Sequence, residues 1–265
     1  MSRPIARPLA ICAAALAGAL LVAVFQAPAS LAGSALQSWS RGRVGLGDAG
    51  GTLWNGTGDL LLSDGNPAGG TAPARTRLPG RLAWTLSPWR LLLGTIDLTL
   101  SDAALLDQPL VLRLDGASAA TIAPDRMRLP ASALLGLGAP WNTIRPGGEL
   151  QLEWDTLHMQ AGALRGGLRA EWLGASSSLS PIVPFGHYRL RADGVFDGAT
   201  LQLETVSGPM EMTGSGTIAN GGHLHFQGTA RVQAGTDAAI ATQLSGLISL
   251  LGRRDGDGAI LDFGT

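Results

Sequence analysis

The chain has no lysine: all nineteen of its basic residues are arginine, in a sequence of 265. That absence removes the P-loop lysine, the Schiff-base lysine of pyridoxal enzymes and the Ser-x-x-Lys nucleophile pair. A single cysteine, Cys12, excludes an intrachain disulfide and any cysteine-cluster metal site. Charge is scarce, at 15% of residues, against a usual ~25%. The net charge of −1 gives no electrostatic footprint for nucleic acid, so no nucleic-acid partner is expected. Sustained helical periodicity is rare as well. Glycine is plentiful, with 38 residues, roughly twice its ordinary frequency. The length suits one large all-β domain or two smaller ones.

Uncharged sequence is concentrated near the N-terminus. Leu9–Ala27 holds nineteen residues with Gln26 as the one strongly polar side chain. As a helix it would extend about 28 Å, close to the ~30 Å hydrocarbon core of a bilayer. Arg3 and Arg7 precede it, and no charge follows until Arg41. The positive-inside rule therefore leaves residues 1–8 cytoplasmic and exports the rest, a single-pass topology. The competing reading is a cleaved leader at Ala27-Pro28-Ala29. Proline in that site and a run longer than the usual 7–15 residues favour a retained anchor. Cys12, inside the run, is expected to face lipid.

From Arg43 onward the dominant pattern is alternation with period two. Leu150, Leu152 and Trp154 share one face of a strand, and Glu149, Gln151, Glu153 and Asp155 the other. Ile96, Leu98 and Leu100 oppose Asp97, Thr99 and Ser101. Leu168, Ala170 and Trp172 oppose Arg169 and Glu171, and Tyr188, Leu190 and Ala192 oppose His187, Arg189 and Arg191. Strands apolar on one face imply antiparallel sheet with one solvated side. The fold class expected from this pattern is mainly β: antiparallel sheet behind an N-terminal transmembrane helix, with a short C-terminal helix. Asn55-Gly56, Asp64-Gly65 and Asn220-Gly221-Gly222 read as hairpin turns.

Helical signals are few. Residues 28–42 form a juxtamembrane linker or interfacial helix, centred on Leu31–Trp39. Ala131–Leu137 makes one or two turns. Thr236 or Asp237 caps a helix ending near Leu251, with Gly252 suited to the C′ position. The expected division is an exported β domain over 43–235, a C-terminal helix over 236–252 and a flexible tail over 253–265, with 67–76 a loop.

Several motifs carry potential chemistry, and each has a plainer reading. Gly45-Leu-Gly-Asp-Ala-Gly50 matches G-x-G-x-x-G, but a strand and turn follow where a dinucleotide site needs a helix. His223-x-His225 puts two imidazoles on one polar strand face, without a third metal ligand. Glu149, Glu153 and Asp155 stand side by side, whereas glycosidase carboxylates face each other across a cleft. Gly116-Ala-Ser118-Ala-Ala120 lacks the last glycine of a nucleophile elbow. No catalytic, cofactor or metal site is assigned, and the protein is expected not to be an enzyme. Seven tryptophans exceed five phenylalanines and one tyrosine. Trp54, Trp84, Trp154, Trp172 and Tyr188 are the candidate structural or partner-contact residues, with core packing preferred to carbohydrate stacking or docking.

Four features together resemble the type II secretion system protein N (GspN, general secretion pathway N) family. They are the basic N-terminus with one anchor; Arg43-Val-Gly-Leu-Gly-Asp-Ala-Gly-Gly-Thr-Leu-Trp54-Asn-Gly56; Leu78-Pro-Gly-Arg-Leu-Ala-Trp84; and Ser178-Leu-Ser-Pro-Ile-Val-Pro-Phe-Gly-His-Tyr188-Arg-Leu. Gly208–Gly214, Leu224–Gly228 and Leu250–Arg254 follow in the family's order. The resemblance implies a non-enzymatic inner-membrane component of the type II secretion pathway, supporting export of folded proteins from the periplasm. Its partners would be other secretion subunits, on the inner-membrane platform or the secretin side, and membrane lipid through Leu9–Ala27. The family also looks related to AsmA-like proteins, so the resemblance implies a periplasmic, long curved antiparallel sheet, half-pipe or sandwich, and the alternative implied is a β groove binding lipid or another apolar ligand.

Overall fold

One-faced strands must stack their apolar sides on something, and here they join edge to edge before being covered. The structure, a computed structural model, describes residues 15–16, 18–19, 22–63, 75–116, 119–138, 141–160, 163–195, 199–219 and 223–264. The first strands are β1 (Val44–Gly51), β2 (Asn55–Ser63), β3 (Arg75–Arg77), β4 (Leu82–Leu86), β5 (Thr95–Ser101) and β6 (Leu110–Asp115). The middle ones are β7 (Ala119–Ile122), β8 (Asp125–Pro130), β9 (Pro146–Trp154), β10 (Leu157–Gln160) and β11 (Ala163–Ser177). The last are β12 (Gly186–Val195), β13 (Ala199–Ser207), β14 (Met210–Ala219), β15 (His223–Val232), β16 (Arg253–Asp255) and β17 (Gly258–Gly264).

Every pairing is antiparallel, and the strands form one open sheet. β1 pairs with β2, β2 with both β3 and β4, and the chain meanders through β5 and β6 to β7. β7 and β8 are two halves of one long strand facing β10 and β9, which together line one edge of β11. The meander continues from β11 to β15. Pairing is continuous from strand to strand, so the expected antiparallel sheet is one large sheet. No pairing joins the outermost described strands β1 and β16, so the sheet is not closed into a barrel.

Two layers cover the apolar face. The helix Ala238–Leu251, capped by the Asp237 carboxylate accepting from Ala239 N at 2.8 Å, lies on the C-terminal strands. Its Leu244, Leu247 and Ile248 are buried with Met210, Phe226, Ala230, Ala259 and Leu261. The 3₁₀ helix Ala131–Leu137 covers the N-terminal half, where Leu78, Leu105, Leu106, Ala133 and Trp154 form a second core. It sits so low that a Cβ at Gly136 would stand 2.7 Å from the Leu62 carbonyl oxygen. Leu168 packs against both cores and joins them.

Some expectations need correcting. The tail over 253–265 is not flexible through 264: β17 inserts between β15 and β16, and Ala259 and Leu261 are buried. The β domain therefore runs past 235. Gly252 is extended, with φ −175°, and not a left-handed cap. Glycine is needed there because any Cβ would strike the Ile260 carbonyl. The first hairpin turns at Thr52–Asn55, where Thr52 N donates to Asn55 O at 2.9 Å, one step before the Asn55-Gly56 pair. Thr76 and Arg75 belong to β3, not to a loop. The helix Ser30–Trp39 lies along β1, with Gly33 over Leu46. Much of the expected span Leu9–Ala27 lies outside the described residues, as do Asp64-Gly65 and Asn220-Gly221-Gly222. Among the described residues no helix is long and apolar enough to cross a membrane.

Candidate functional site

The five aromatic residues singled out by sequence do not converge. Trp84 on β4 and Trp154 on β9 are buried, and their indole N–H groups donate to Leu53 O at 3.1 Å and Ala123 O at 2.8 Å. Each ring thus ties its strand to a carbonyl just ahead of the strand it pairs with, β2 for Trp84 and β8 for Trp154. Gly56 stands opposite Trp84 in register, and a Cβ there would enter the indole. Glycine on β2 is what lets the large ring lie flat across the sheet.

Trp172 and Tyr188 face each other across β11 and β12 with Phe185 beside them, ring centroids 5.7 to 6.3 Å apart. The Tyr188 hydroxyl donates to Met210 O at 2.9 Å, and burial pushes its pKa above the ordinary phenol value. A phenol so placed stays neutral and serves packing.

Trp54 has different surroundings. It is only half-buried, stacks obliquely 6.4 Å from Phe25, and donates its indole N–H to Val24 O at 2.8 Å. It holds the N-terminal segment against the β1–β2 turn. Trp89, which sequence reasoning passed over, lies 5.8 Å from the same Phe25 and is 66% exposed. The signal available was Ser87-Pro88, a helix-start pair placing the following tryptophan on a one-turn helix, Pro88–Leu92, rather than on a strand.

The charged residues form ladders on the other face. Glu153 is held by Arg126 at 3.2 Å and Arg169 at 3.6 Å, from the strands on either side. Glu171 meets Arg189 at 2.6 Å and His187 at 3.3 Å, and Arg189 continues to Glu204 at 3.1 Å. Hydrogen bonding and charge from Arg189, then His187, hold the Glu171 carboxyl below its ordinary pKa. Cross-strand pairs of this kind fix register at roughly 0.2–1 kcal/mol each. Glu149 accepts from Gln151 at 2.8 Å, and Asp155 is exposed. Of the acidic row, Glu153 joins a cross-strand ladder, while Glu149 is bonded within its own strand.

The other motifs resolve locally. The glycine motif 45–50 is strand β1, bulged between Gly47 and Gly50, with Asp48 at φ +45°. His223 and His225 are exposed on β15, and among the described residues no three metal-capable side chains gather. A cavity of about 510 Å³ opens on the polar side of β13–β15, lined by Gln202, Glu204, Thr213, Ser215, Gln227 and Thr229.

The segments that carry the resemblance are the ones that seat the core: Arg43–Gly56 makes the β1–β2 hairpin, and Ser178–Tyr188 delivers Phe185 and Tyr188. A family model described as type II secretion system (T2SS), protein N, matches residues 42–261. The chain belongs to this family. The match begins beside β1 and ends within β17, so membership covers nearly the whole sheet and the helices Ala131–Leu137 and Ala238–Leu251. It implies a role in type II secretion. No curated protein and no solved structure matches the chain.

Proposed function

We propose that the protein is a non-enzymatic, inner-membrane component of the type II pathway that supports export of folded proteins from the periplasm. One observation carries the reading: family membership over 42–261, nearly the entire sheet. Two arrangements support it. Of the acidic row Glu149, Glu153 and Asp155, the central Glu153 is neutralised by arginines from both neighbouring strands. The first hairpin grips the residues that end the apolar run, through Trp54 to Val24 O and Leu53 N to Ala27 O at 2.8 Å. An anchor over Leu9–Ala27 would then hold a rigid β platform at the periplasmic membrane surface, within reach of other secretion subunits. Among the described residues β1 and β16 are the outermost strands, and their edges suit main-chain pairing with such a subunit.

The test is a clean chromosomal deletion in a bacterium with a working type II system. Secreted proteins are quantified in medium and periplasm. Periplasmic retention, reversed by the wild-type gene, is the expected result. Unchanged secretion overturns the reading.

A further inference from the structure

Large apolar side chains gathered in water mark a surface meant for something else. Ser87-Pro-Trp-Arg-Leu-Leu-Leu-Gly94 connects β4 to β5. Trp89, Leu91 and Leu93 are 66%, 37% and 80% exposed. The turn's one charge, Arg90, pairs with Asp97 at 3.0 Å. The patch does not stand alone. Trp89 is in ring contact with Phe25, and Phe25 with Trp54. Phe25 belongs to the last turn of the apolar run Leu9–Ala27. That end of the run is strapped to the first hairpin by Ala29 N to Gly51 O at 3.2 Å, Leu53 N to Ala27 O at 2.8 Å, and the Pro28–Thr52 bridge. The exposed turn and the mouth of the apolar run are therefore held side by side.

We infer that the Ser87–Gly94 turn seats in the headgroup zone of the same bilayer that holds Leu9–Ala27, with Trp89 and Leu93 entering the lipid. The inference rests on the anchor reading above. Lipid is the occupant favoured because the patch continues an apolar run long enough to span a bilayer. Its composition is also that of a membrane interface: tryptophan at headgroup depth, leucine below, and an arginine whose long stem keeps its head in water. Two contacts, anchor and turn, remove the swivel that a single helix would allow. The sheet then stands at a fixed angle to the membrane, with its strand edges presented in one direction.

The test uses purified full-length protein in phosphatidylcholine–phosphatidylglycerol vesicles. With Cys12→Ser as background, an environment-sensitive fluorophore is placed at Leu93→Cys or at Ala234→Cys. Ala234 is exposed and lies at the opposite ends of the strands. The expected result is flotation with vesicles through alkaline carbonate, blue-shifted emission at 93, and quenching there by lipids brominated near the headgroup. Position 234 should show water-like emission. Flotation with water-like emission at 93 overturns this inference alone. Emission that shifts only when other envelope proteins are added makes the patch a protein-docking site and also overturns it. Loss of flotation overturns the anchor and this inference together.

Discussion

Trp172, Phe185 and Tyr188 form one aromatic trio; Phe25, Trp54 and Trp89 form another with nearly the same ring spacings, 5.8 and 6.4 Å against 5.7 to 6.3 Å. Their environments are opposite. Phe185 and Tyr188 are 1% and 2% exposed under the loop and strands that carry them, whereas Trp89 is 66% exposed. The sealed trio joins β11, β12 and the loop between them into the larger core. The open trio joins the sheet to the N-terminal segment and leaves apolar surface over. Residue type alone does not separate architecture from contact; what covers the ring does.

The largest effect should come from breaking the sealed trio. Phe185→Ala removes a fully buried ring and should cost about 3–5 kcal/mol in chemical denaturation of the full-length protein. A much smaller loss would mean the loop 178–185 collapses freely. Next comes Gly56→Val. Its side chain must displace the Trp84 indole, and overpacking of this kind costs about 1–3 kcal/mol. Tyr188→Phe keeps the ring and deletes the hydroxyl donated to Met210 O, for about 1 kcal/mol.

A pH effect sharpens the comparison from the solvent face. Arg189 and His187 lower the Glu171 carboxyl below its ordinary value of 4.5 in the folded state. Its contribution is thus present above that value and is lost as pH falls through the lower, folded one. Melting temperature should drop over this acid range, and Glu171→Gln should flatten part of the drop. An identical pH profile in the variant would show that Glu171 does not carry it.

Much of the sheet was legible because each strand buries one face, so Leu150-x-Leu-x-Trp154 and its counterparts announce both strand and orientation. The C-terminal helix was legible for the same reason: Leu244, Leu247 and Ile248, read at helical spacing, are its buried residues. What escaped was set by neighbours distant in sequence. The strand β17 is a short alternation after a charged turn, and only its slot between β15 and β16 gives it partners. In β11 a bulge between Trp172 and Ala175 reverses the phase, so Ala175 and Ser177 are buried although the alternation before them predicts the other face. Trp84 and Trp89 look alike in sequence, each preceded by small or turn residues. One meets Gly56 and Leu53 in the sheet, while the other meets Phe25, sixty-four residues earlier, at the rim.

The contrast between the two trios, and with it the role in secretion, is tested most directly by one variant. Full-length protein carrying Trp89→Ser and Leu93→Ser is introduced into the deletion strain, and melting temperature and secreted protein are measured together. Exposed substitutions usually shift stability within about ±0.5 kcal/mol, so the melting curve should stay in place. Secreted proteins should nevertheless accumulate in the periplasm, because the sheet is no longer held at its angle to the membrane. Full secretion with an unchanged melting curve, or a melting curve lowered as far as that of Phe185→Ala, would contradict the account.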